Sequence, residues 1–381
     1  MNARDQAPAQ TLGWTFSDVD PAMHFATDYA DARTKFRDAA SRRGVSIESH
    51  EHPKARGPRN ERLAIDVVVL GNADVTGALI ITSGTHGAEG FCGSGCQVGL
   101  LADDAFVASV DKSDVAVIMV HALNPYGFAH VCRTTEENVD LNRNFCDFAN
   151  LPRNDAYNDV HPIVVCDTWP PTAENQQAIG AYLARNGVLA MQQAVTGGQW
   201  DRADGLFFGG KGPAWSQTIM RDILRRHAAK RERLGWIDIH TGLGPSGHGE
   251  KIFAGPDDAA MIARARAIWG VDVTSIYDGS STSARINGLL FNAALDECPR
   301  AQYAGIALEY GTKPYVDVIH ALRGSQWLIN HPQADDRARE SIRKSVRDAF
   351  YVDTPAWKAM VYGQARAAAL QALRGLGERK S

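Results

Sequence analysis

Five short apolar runs constrain the fold of this chain more than any other feature. They lie at 63–71, 78–82, 115–120, 236–240 and 305–309. Helical stretches such as 93–103 and 257–269 separate them. Short apolar strands that alternate with helices are typical of a largely parallel sheet covered on both faces. We therefore expect an α/β fold with a mostly parallel mixed sheet and helices on both faces.

The rest of the chain predicts how this sheet is surrounded. A length of 381 residues exceeds the usual domain size, but α/β enzymes of this length often fold around one continuous sheet. We expect a single domain over 1–381. The region 146–235 has little strand character and predicts an insertion of helices and loops. The residues from 335 to 381 carry alanine, leucine and arginine at helical spacing, with Pro355 between two helices. They predict a C-terminal helical cover.

Charge and composition exclude several classes of partner. The formal net charge is -4 and the isoelectric point is about 6.3, and no block of basic residues is present, so neither nucleic acid nor an anionic membrane is an expected partner. No uninterrupted run of about 18 apolar residues predicts a membrane span. The polar start, Met1–Gln6, argues against a secretory signal. Six cysteines in so long a chain fit reduced thiols. We expect a cytoplasmic protein.

Polar residues whose side chains could bind a ligand or take part in a reaction follow the apolar runs. His86 and Glu89 come after the second run, and Asn124 comes after the third. His240 and Glu309 end the last two runs. In open α/β sheets ligands bind at the carboxyl ends of the strands. We therefore expect these side chains to converge although they are far apart in the chain.

His86, Glu89 and His240 match a set of zinc ligands. A catalytic zinc ion takes three protein ligands and keeps one open position, and two histidines with one carboxylate form a known set. A lone histidine is more often a hydrogen-bonded core residue, but glycines flank His86 and free the backbone for a tight turn after the strand. These three residues are therefore candidate ligands of one zinc ion per chain.

Three further segments resemble a known family. They read Asn-Pro-Tyr-Gly-Phe from Asn124, Arg-Thr-Thr from Arg133, and Asp-Leu-Asn-Arg-Asn from Asp140. Together with the histidine and glutamate before them and His240 after them, they resemble the zinc carboxypeptidase family over roughly residues 60–315. The segments around Asp140 and His240 are also similar to the aspartoacylase and succinylglutamate desuccinylase group. The resemblance implies a zinc carboxypeptidase-like fold, and it implies that His86, Glu89 and His240 hold the zinc ion.

The resemblance also implies roles for single residues. It implies that Arg133 helps to polarise the scissile carbonyl, and that Asn142 and Arg143 grip a free carboxylate on the substrate. Elementary chemistry agrees, because the planar fork of an arginine binds a carboxylate through two hydrogen bonds. A fixed cation beside a developing oxyanion also lowers the barrier of the reaction. An arginine on an ordinary surface would instead be solvated.

The remaining candidates carry alternatives that the sequence leaves open. Glu309 stands where the family has its general base, and the competing interpretation is a structural pair with a cation such as Lys313. The pocket tyrosine of the family is placed at Tyr277, with Arg285 as a possible substrate contact. Ordinary packing or surface roles compete for both. Asp238 lies two residues before His240, where it either orients that histidine or faces a helix.

These observations predict a zinc-dependent hydrolase that cleaves a peptide or amide bond next to a free carboxylate. The substrate would be a small molecule or a short peptide. One alternative is an N-acyl-amino-acid deacylase similar to aspartoacylase, which would use the same arginine. A second alternative is a zinc-bearing binding protein without turnover.

Overall fold

The computed structural model describes residues 20–72 and 74–377. The polar start at Met1–Gln6 lies outside these residues. None of the helices described is both long enough and apolar enough to span a lipid bilayer.

Seven strands lie in the described part of the chain. They are β1 (Glu48–Arg56), β2 (Arg62–Leu70), β3 (Gly77–Thr82), β4 (Val115–His121), β5 (Arg233–Ser246), β6 (Gly249–Phe253) and β7 (Gln302–Gly311).

The helices of the described residues run in the order that follows. They are α1 (Tyr29–Arg42), α2 (Gly90–Ala102), α3 (Asp104–Asp111), α4 (Pro125–His130), α5 (Ala156–Val164), α6 (Ala173–Asn186), α7 (Val188–Thr196), α8 (Trp215–His227), α9 (Ala259–Trp269), α10 (Asn292–Glu297), α11 (Tyr315–Asn330), α12 (Asp336–Phe350) and α13 (Pro355–Gly377). Short 3-10 helices lie at Pro21–His24, Gly87–Glu89 and Leu141–Arg143.

The strands form one mixed sheet in the order β1-β2-β4-β3-β5-β7-β6. The four central strands, β4, β3, β5 and β7, run parallel to one another. The outer strands β1, β2 and β6 pair antiparallel. All five apolar runs of the sequence are strands of this sheet, and the prediction of an α/β fold is confirmed.

Helices cover both faces of the sheet because the central strands are apolar on both sides. On one face α1, α2, α3, α9 and α13 pack around a core that includes Phe36, Phe91 and Trp269. On the other face α8 and α10 pack around Trp236 and Phe291. Burial of this kind stabilises the fold by roughly 25 cal/mol per Å² of apolar surface removed from water.

A third apolar cluster stands over the carboxyl ends of the central strands. It joins α5, α7, α11 and α12 with the segment Gly205–Ser216, and it contains Phe207, Val318 and Phe350. The segment is a loop until α8 begins at Trp215, and its residues Leu206, Phe207 and Phe208 are buried. The cluster therefore forms a wall above the sheet edge where the candidate residues end.

The two regions that were expected outside the sheet are both rich in helix. The region 146–235 contains α5 to α8, and its long helical stretch breaks into α6 and α7 at Gly187, whose φ is +84°. In the C-terminal region α12 and α13 meet at Pro355, as the sequence predicts. The helix α13 packs on the sheet, whereas α12 packs on α11 and above the 3-10 helix Gly87–Glu89.

Candidate active site

Three neighbouring parallel strands bring the candidate residues to one edge of the sheet. The strand β3 pairs with β5, and β5 pairs with β7, so their carboxyl ends lie side by side. His86 follows β3 as the residue before the 3-10 helix Gly87–Glu89. His240 on β5 is the direct neighbour of Glu309 on β7. The convergence that the sequence predicts across more than 200 residues is therefore present.

The turn after β3 depends on a close approach between two backbones. Gly87 packs against Gly127, and a Cβ atom on Gly87 would lie 1.9 Å from the carbonyl carbon of Gly127. Asn124 holds the opposing segment in place, because its side chain accepts from the Gly127 N–H and donates to the Arg133 carbonyl. This packing fixes the direction of His86 and Glu89 from the strand end.

His86, Glu89 and His240 form a compact buried group. Nδ1 of His86 lies 2.8 Å from Oε1 of Glu89, and Nδ1 of His240 lies 2.9 Å from Oε2. The two Nδ1 atoms are 3.2 Å apart. All three side chains are at most 4% exposed. Each residue thus offers one ligand atom, and all these atoms lie within 4.8 Å of one another.

This donor set fits a zinc ion. Bond lengths of 2.0–2.2 Å in tetrahedral geometry place neighbouring ligand atoms about 3.3 Å apart, which is close to the separations seen here. Two neutral imidazole nitrogens that face each other at 3.2 Å would repel unless a proton or a cation lies between them. The site therefore has the ligand types, spacing and charge that a divalent cation requires.

Asp238 orients His240 from behind. Its Oδ2 lies 2.5 Å from Nε2 of His240, and its Oδ1 accepts from the hydroxyls of Thr82 and Thr85 at 2.6 and 2.8 Å. Because Asp238 and His240 are two residues apart on a strand, both point to the same face. Burial lowers the pKa of His240, but the charge and hydrogen bond of Asp238 outweigh burial and raise that pKa well above its usual value. An Nε2–H that donates to Asp238 leaves the Nδ1 lone pair free for a metal.

Asp140 was not among the predicted site residues. It is fully buried, with Oδ2 accepting from Nε of Arg133 at 2.8 Å and Oδ1 lying 3.3 Å from Nε2 of His86. Burial opposes its charge, but the charges of Arg133 and Arg143 hold the pKa of Asp140 well below its ordinary value. Its position in the Asp-Leu-Asn-Arg segment was the available signal. Asp140 fixes the Arg133 side chain and lies beside the outer edge of the His86 ring.

Arg133 contacts two of the candidate metal ligands, Glu89 and His86. Its Nη1 is 3.3 Å from Oε1 of Glu89, and its Nη2 is 2.7 Å from Nε2 of His86. Burial would raise the pKa of Glu89, but the His86 charge and the hydrogen bonds of both histidines hold that pKa well below its ordinary value. Glu89 therefore carries its negative charge at any physiological pH, balanced by the cation beside it.

Glu309 lines the same cavity. Its Oε1 accepts from the N–H of Leu243 at 3.0 Å, and the side chain is buried. Burial and then the nearby charge of Glu89 raise the pKa of Glu309 to about 8. Lys313, the cation that a structural role would use, is exposed and makes no ion pair with Glu309 in the described chain. The environment is that of a carboxyl group suited to proton transfer near neutral pH.

Asn142 and Arg143 follow Asp140 in the 3-10 helix Leu141–Arg143. Arg143 is 3% exposed, and burial lowers its pKa to about 10, so it remains a cation at neutral pH. It donates to the carbonyl oxygens of Thr196 and Asn142 and stacks over the ring of Phe207. The Asn142 amide oxygen accepts from the N–H of Leu290 at 2.9 Å.

One cavity joins these residues and opens to solvent, with about 1040 Å³ of space that includes part of the open solvent. Its lining includes Asn142, Arg143 and all three candidate metal ligands, together with Arg133 and Glu309. Tyr277 and Arg285 are not part of the lining, because the Tyr277 hydroxyl donates to the Gly255 carbonyl and Arg285 lies outside on the Tyr277 ring and beside Asp257.

Tyr315 is a tyrosine that does line the cavity, and the sequence reasoning missed it. It begins α11, four residues after the end of β7. Burial raises the pKa of Tyr315 to about 12, so its hydroxyl stays protonated. The hydroxyl makes no hydrogen bond to the part of the chain that the structure describes. It is therefore available as a donor to a molecule in the cavity.

Glu250 on β6 is a further buried carboxylate on this face of the sheet. It is paired directly with Glu309 in the antiparallel register, and directly opposed residues share one face. Its oxygens accept from the hydroxyls of Thr274 and Thr282, both at 2.5 Å. Glu250 thereby ties the segment 274–282 to the sheet edge beside Glu309.

Comparison with protein families places the chain. A family model described as Protein of unknown function (DUF2817) matches residues 25–364. The chain belongs to the DUF2817 family. No curated protein matches the sequence.

Several solved structures resemble this DUF2817 chain at low identity. Thrombin activatable fibrinolysis inhibitor is 11% identical over 92% of this chain and 74% of its own, with a TM-score of 0.48. A metallo-carboxypeptidase from Burkholderia cenocepacia is 14% identical over 79% and 67%, with a TM-score of 0.37. A succinylglutamate desuccinylase from Silicibacter sp. TM1040 is 16% identical over 80% and 65%, with a TM-score of 0.36.

Proposed function

We propose that this protein is a zinc-dependent hydrolase that cleaves a peptide or amide bond next to a free carboxylate. The observation that carries the proposal is the meeting, in one cavity, of a metal-binding triad, a buried glutamate and a buried arginine. The substrate would be a small molecule or a short peptide. The whole chain would act as one catalytic domain, since helices from its middle and its C-terminal region stand over the same sheet edge.

His86, Glu89 and His240 would hold the zinc ion, one per chain. A zinc ion there would polarise the substrate carbonyl and lower the pKa of a water molecule to about 7. Asp238 keeps the His240 ring oriented with Nδ1 towards the site, and Arg133, held by Asp140, contacts Nε2 of His86.

Glu309 is the proposed base and then the acid. The N–H of Leu243 fixes Oε1, and we assign the proton transfer to Oε2. Glu309 takes a proton from the attacking water as the C–O bond forms. It returns that proton to the amide nitrogen as the C–N bond breaks, so the products are a carboxylic acid and an amine. A pKa raised by burial suits both halves of this cycle.

Arg143 and Asn142 are the proposed carboxylate anchor. The guanidinium has five N–H groups, and three of them donate to backbone carbonyls of Thr196 and Asn142. The remaining two are available to a substrate carboxylate. Arg133, next to the ligand group, would stabilise the negative charge that develops on the carbonyl oxygen.

Tyr315 is our candidate for a hydroxyl that donates to the substrate in the cavity, since it lines the cavity and Tyr277 does not. Tyr277 and Arg285 stay predictions from the resemblance. Their positions outside the lining favour a role in holding the segment that follows α9.

The substitution Glu309→Gln tests the proposal. It should lower turnover by about 10²- to 10⁴-fold, the usual contribution of a general base, while zinc content and the binding of a carboxylate product stay as in the wild type. Glu136→Gln is the matched control, because Glu136 pairs with His52 and does not line the site. Full turnover in Glu309→Gln would remove the proposed base.

An N-acyl-amino-acid deacylase is the second candidate. Apolar side chains such as Val318 and Phe350 line the cavity close to Glu309 and offer a place for an acyl group. Short peptides and N-acyl amino acids presented to the purified protein separate the two reactions. A carboxypeptidase releases the C-terminal amino acid from a peptide, whereas a deacylase releases an amino acid from a simple acyl group. Binding across this panel with no hydrolysis would instead support a zinc-bearing binding protein.

A further inference from the structure

The cavity has two apolar walls that belong to different hydrophobic clusters. The first, which we call the anchor-side wall, consists of Trp236, Ile252, Ala254, Ile276, Ile286 and Leu290. The second, the base-side wall, consists of Val318, Ile319, Leu322 and Phe350, with Leu243 beside them. The polar residues of the site lie between the two.

The anchor-side wall begins where the proposed carboxylate anchor ends. The N–H of Leu290 donates to the Asn142 side chain at 2.9 Å. Gly288, two residues earlier, packs against the carbonyl of Arg143. A carboxylate held by Asn142 and Arg143 therefore places the side chain on its own α-carbon next to this wall.

The base-side wall begins beside the proposed base. The N–H of Leu243 donates to Oε1 of Glu309. Its neighbour Gly242 packs against Phe350 and Val318. The half of a substrate that lies beyond the scissile carbonyl, away from the anchor, would therefore meet this second wall.

Charge is confined to the centre of the cavity. Among the described residues that line it, the charged side chains apart from the histidines are Glu89, Arg133, Arg143, Asp238 and Glu309. Each of them has a role in the centre or a partner there. Neither wall presents a charged side chain, so an ionised group placed against either wall would lose its hydration without compensation.

We propose that the substrate carries apolar groups on both sides of the bond that is cleaved. One is an aliphatic or aromatic side chain next to the free carboxylate, and the other is an apolar group on the acyl half. This specificity rests on the proposed function, and it selects against substrates with a second carboxylate or a basic side chain. Burial of one such apolar group corresponds to about a 10- to 100-fold gain in kcat/KM.

A set of four acylated substrates tests this specificity. The residue next to the free carboxylate is phenylalanine or glutamate, and the acyl group is apolar or carries a carboxylate. The compound that is apolar on both sides should have a kcat/KM about 10- to 100-fold above either singly charged compound. Equal or better use of a charged compound would overturn the proposal.

Two half-buried wall residues allow each wall to be tested separately. Ile286→Arg should shift the preference towards glutamate next to the free carboxylate and leave the acyl preference unchanged. Ile319→Arg should shift the preference towards an acyl group with a carboxylate and leave the preference next to the free carboxylate unchanged. Asn287→Arg and Val316→Arg are the matched controls, since these neighbours are exposed and do not line the cavity. A shift in both preferences from one variant, or in neither from both, would contradict the two-wall arrangement.

A binding measurement separates the specificity from the catalysis. Calorimetry on protein stripped of metal by a chelator compares 3-phenylpropionate with glutarate, which carry one carboxylate and two. The wild type should bind 3-phenylpropionate at least about tenfold more tightly, and Ile286→Arg should reverse the order. If this order holds but no substrate is hydrolysed, the proposed function fails and the assignment of the anchor-side wall stands. Tighter binding of glutarate by the wild type, or no binding of either acid, would overturn the assignment.

Discussion

Replacement of Asp238 by asparagine tests how the site presents His240 to a metal. The carboxylate accepts three hydrogen bonds, from the Thr82 and Thr85 hydroxyls at Oδ1 and from His240 Nε2 at 2.5 Å. An asparagine that keeps its oxygen towards the two threonines turns its NH2 group towards Nε2. The ring must then accept at Nε2 and carry its proton on Nδ1, which is the atom that faces Glu89.

The asparagine variant should therefore bind zinc more weakly. Loss of such an outer-shell carboxylate costs about 10- to 100-fold in metal affinity, which corresponds to about 1.4–2.7 kcal/mol. The opposite amide orientation fares no better, since it turns the NH2 group towards two hydroxyls that now lack an acceptor. Both orientations weaken the site.

The assay is zinc affinity by competition with a chromogenic chelator at fixed neutral pH. Asp272→Asn is the control, because that exposed carboxylate pairs with Lys251 and should leave the affinity unchanged. Melting curves recorded in excess chelator show whether the variant folds. A folded Asp238→Asn protein with the zinc affinity of the wild type would refute the assigned tautomer of His240.

Two further predictions concern the stability of the fold. Burial opposes the charge of Asp66, but the hydrogen bond and charge of Arg33 outweigh it and hold the pKa of Asp66 below its ordinary value. Asp66→Asn should therefore cost about 3–5 kcal/mol at neutral pH, and denaturant unfolding should show this gap closing as pH falls from about 4 through the folded-state pKa; a gap independent of pH would contradict it. Gly288→Ala meets φ +72° and a Cβ 2.1 Å from the Arg143 carbonyl oxygen, whereas Gly279→Ala meets φ +77° and open space. Gly279→Ala should lower the free energy of unfolding by about 1–2 kcal/mol, and Gly288→Ala should lower it by clearly more. Equal losses in thermal unfolding would contradict the close contact between Gly288 and the Arg143 carbonyl.

The central sheet could be predicted from the sequence because its strands are buried on both faces. Runs such as Val115–His121 are apolar throughout, and their length and flanking residues identify them. The outer strand β1 could not be found in this way. Its sequence is polar, and it extends along β2 because of backbone pairing and ion pairs such as Glu51 with Arg62. The short strand β6 gives too few residues for a periodic pattern.

The candidate site followed from position more than from residue type. His86, His240 and Glu309 were predicted to meet because each follows a strand of one parallel set, and they do. Asp140 and Tyr315 follow no such rule. Asp140 is the residue before the 3-10 helix Leu141–Arg143. Tyr315 reaches the cavity because α11 folds back over the strand ends. Contacts of this kind depend on tertiary packing, which a local pattern does not encode.

The role of Tyr277 stays a prediction, because a sequence gives no measure of the direction in which a side chain points. Tyr277 lies in a polar stretch at a suitable distance along the chain, and the structure turns its hydroxyl to the Gly255 carbonyl. The burial of Glu250 was not predicted, since a glutamate in a five-residue segment is usually a charged surface residue. Its burial follows from the cross-strand pairing with Glu309 and from the two threonines that it binds.

The most direct test of the account is the metal content of the purified protein. Elemental analysis after dialysis, with zinc supplied during expression, should find one zinc ion per chain. His240→Ala should lose the ion while it retains the fold, and His121→Ala should keep it, because His121 is a core histidine bonded to Ser94. Wild-type protein that holds no zinc, or a His240→Ala variant that holds it as tightly as the wild type, would contradict the claim that His86, Glu89 and His240 form a metal site.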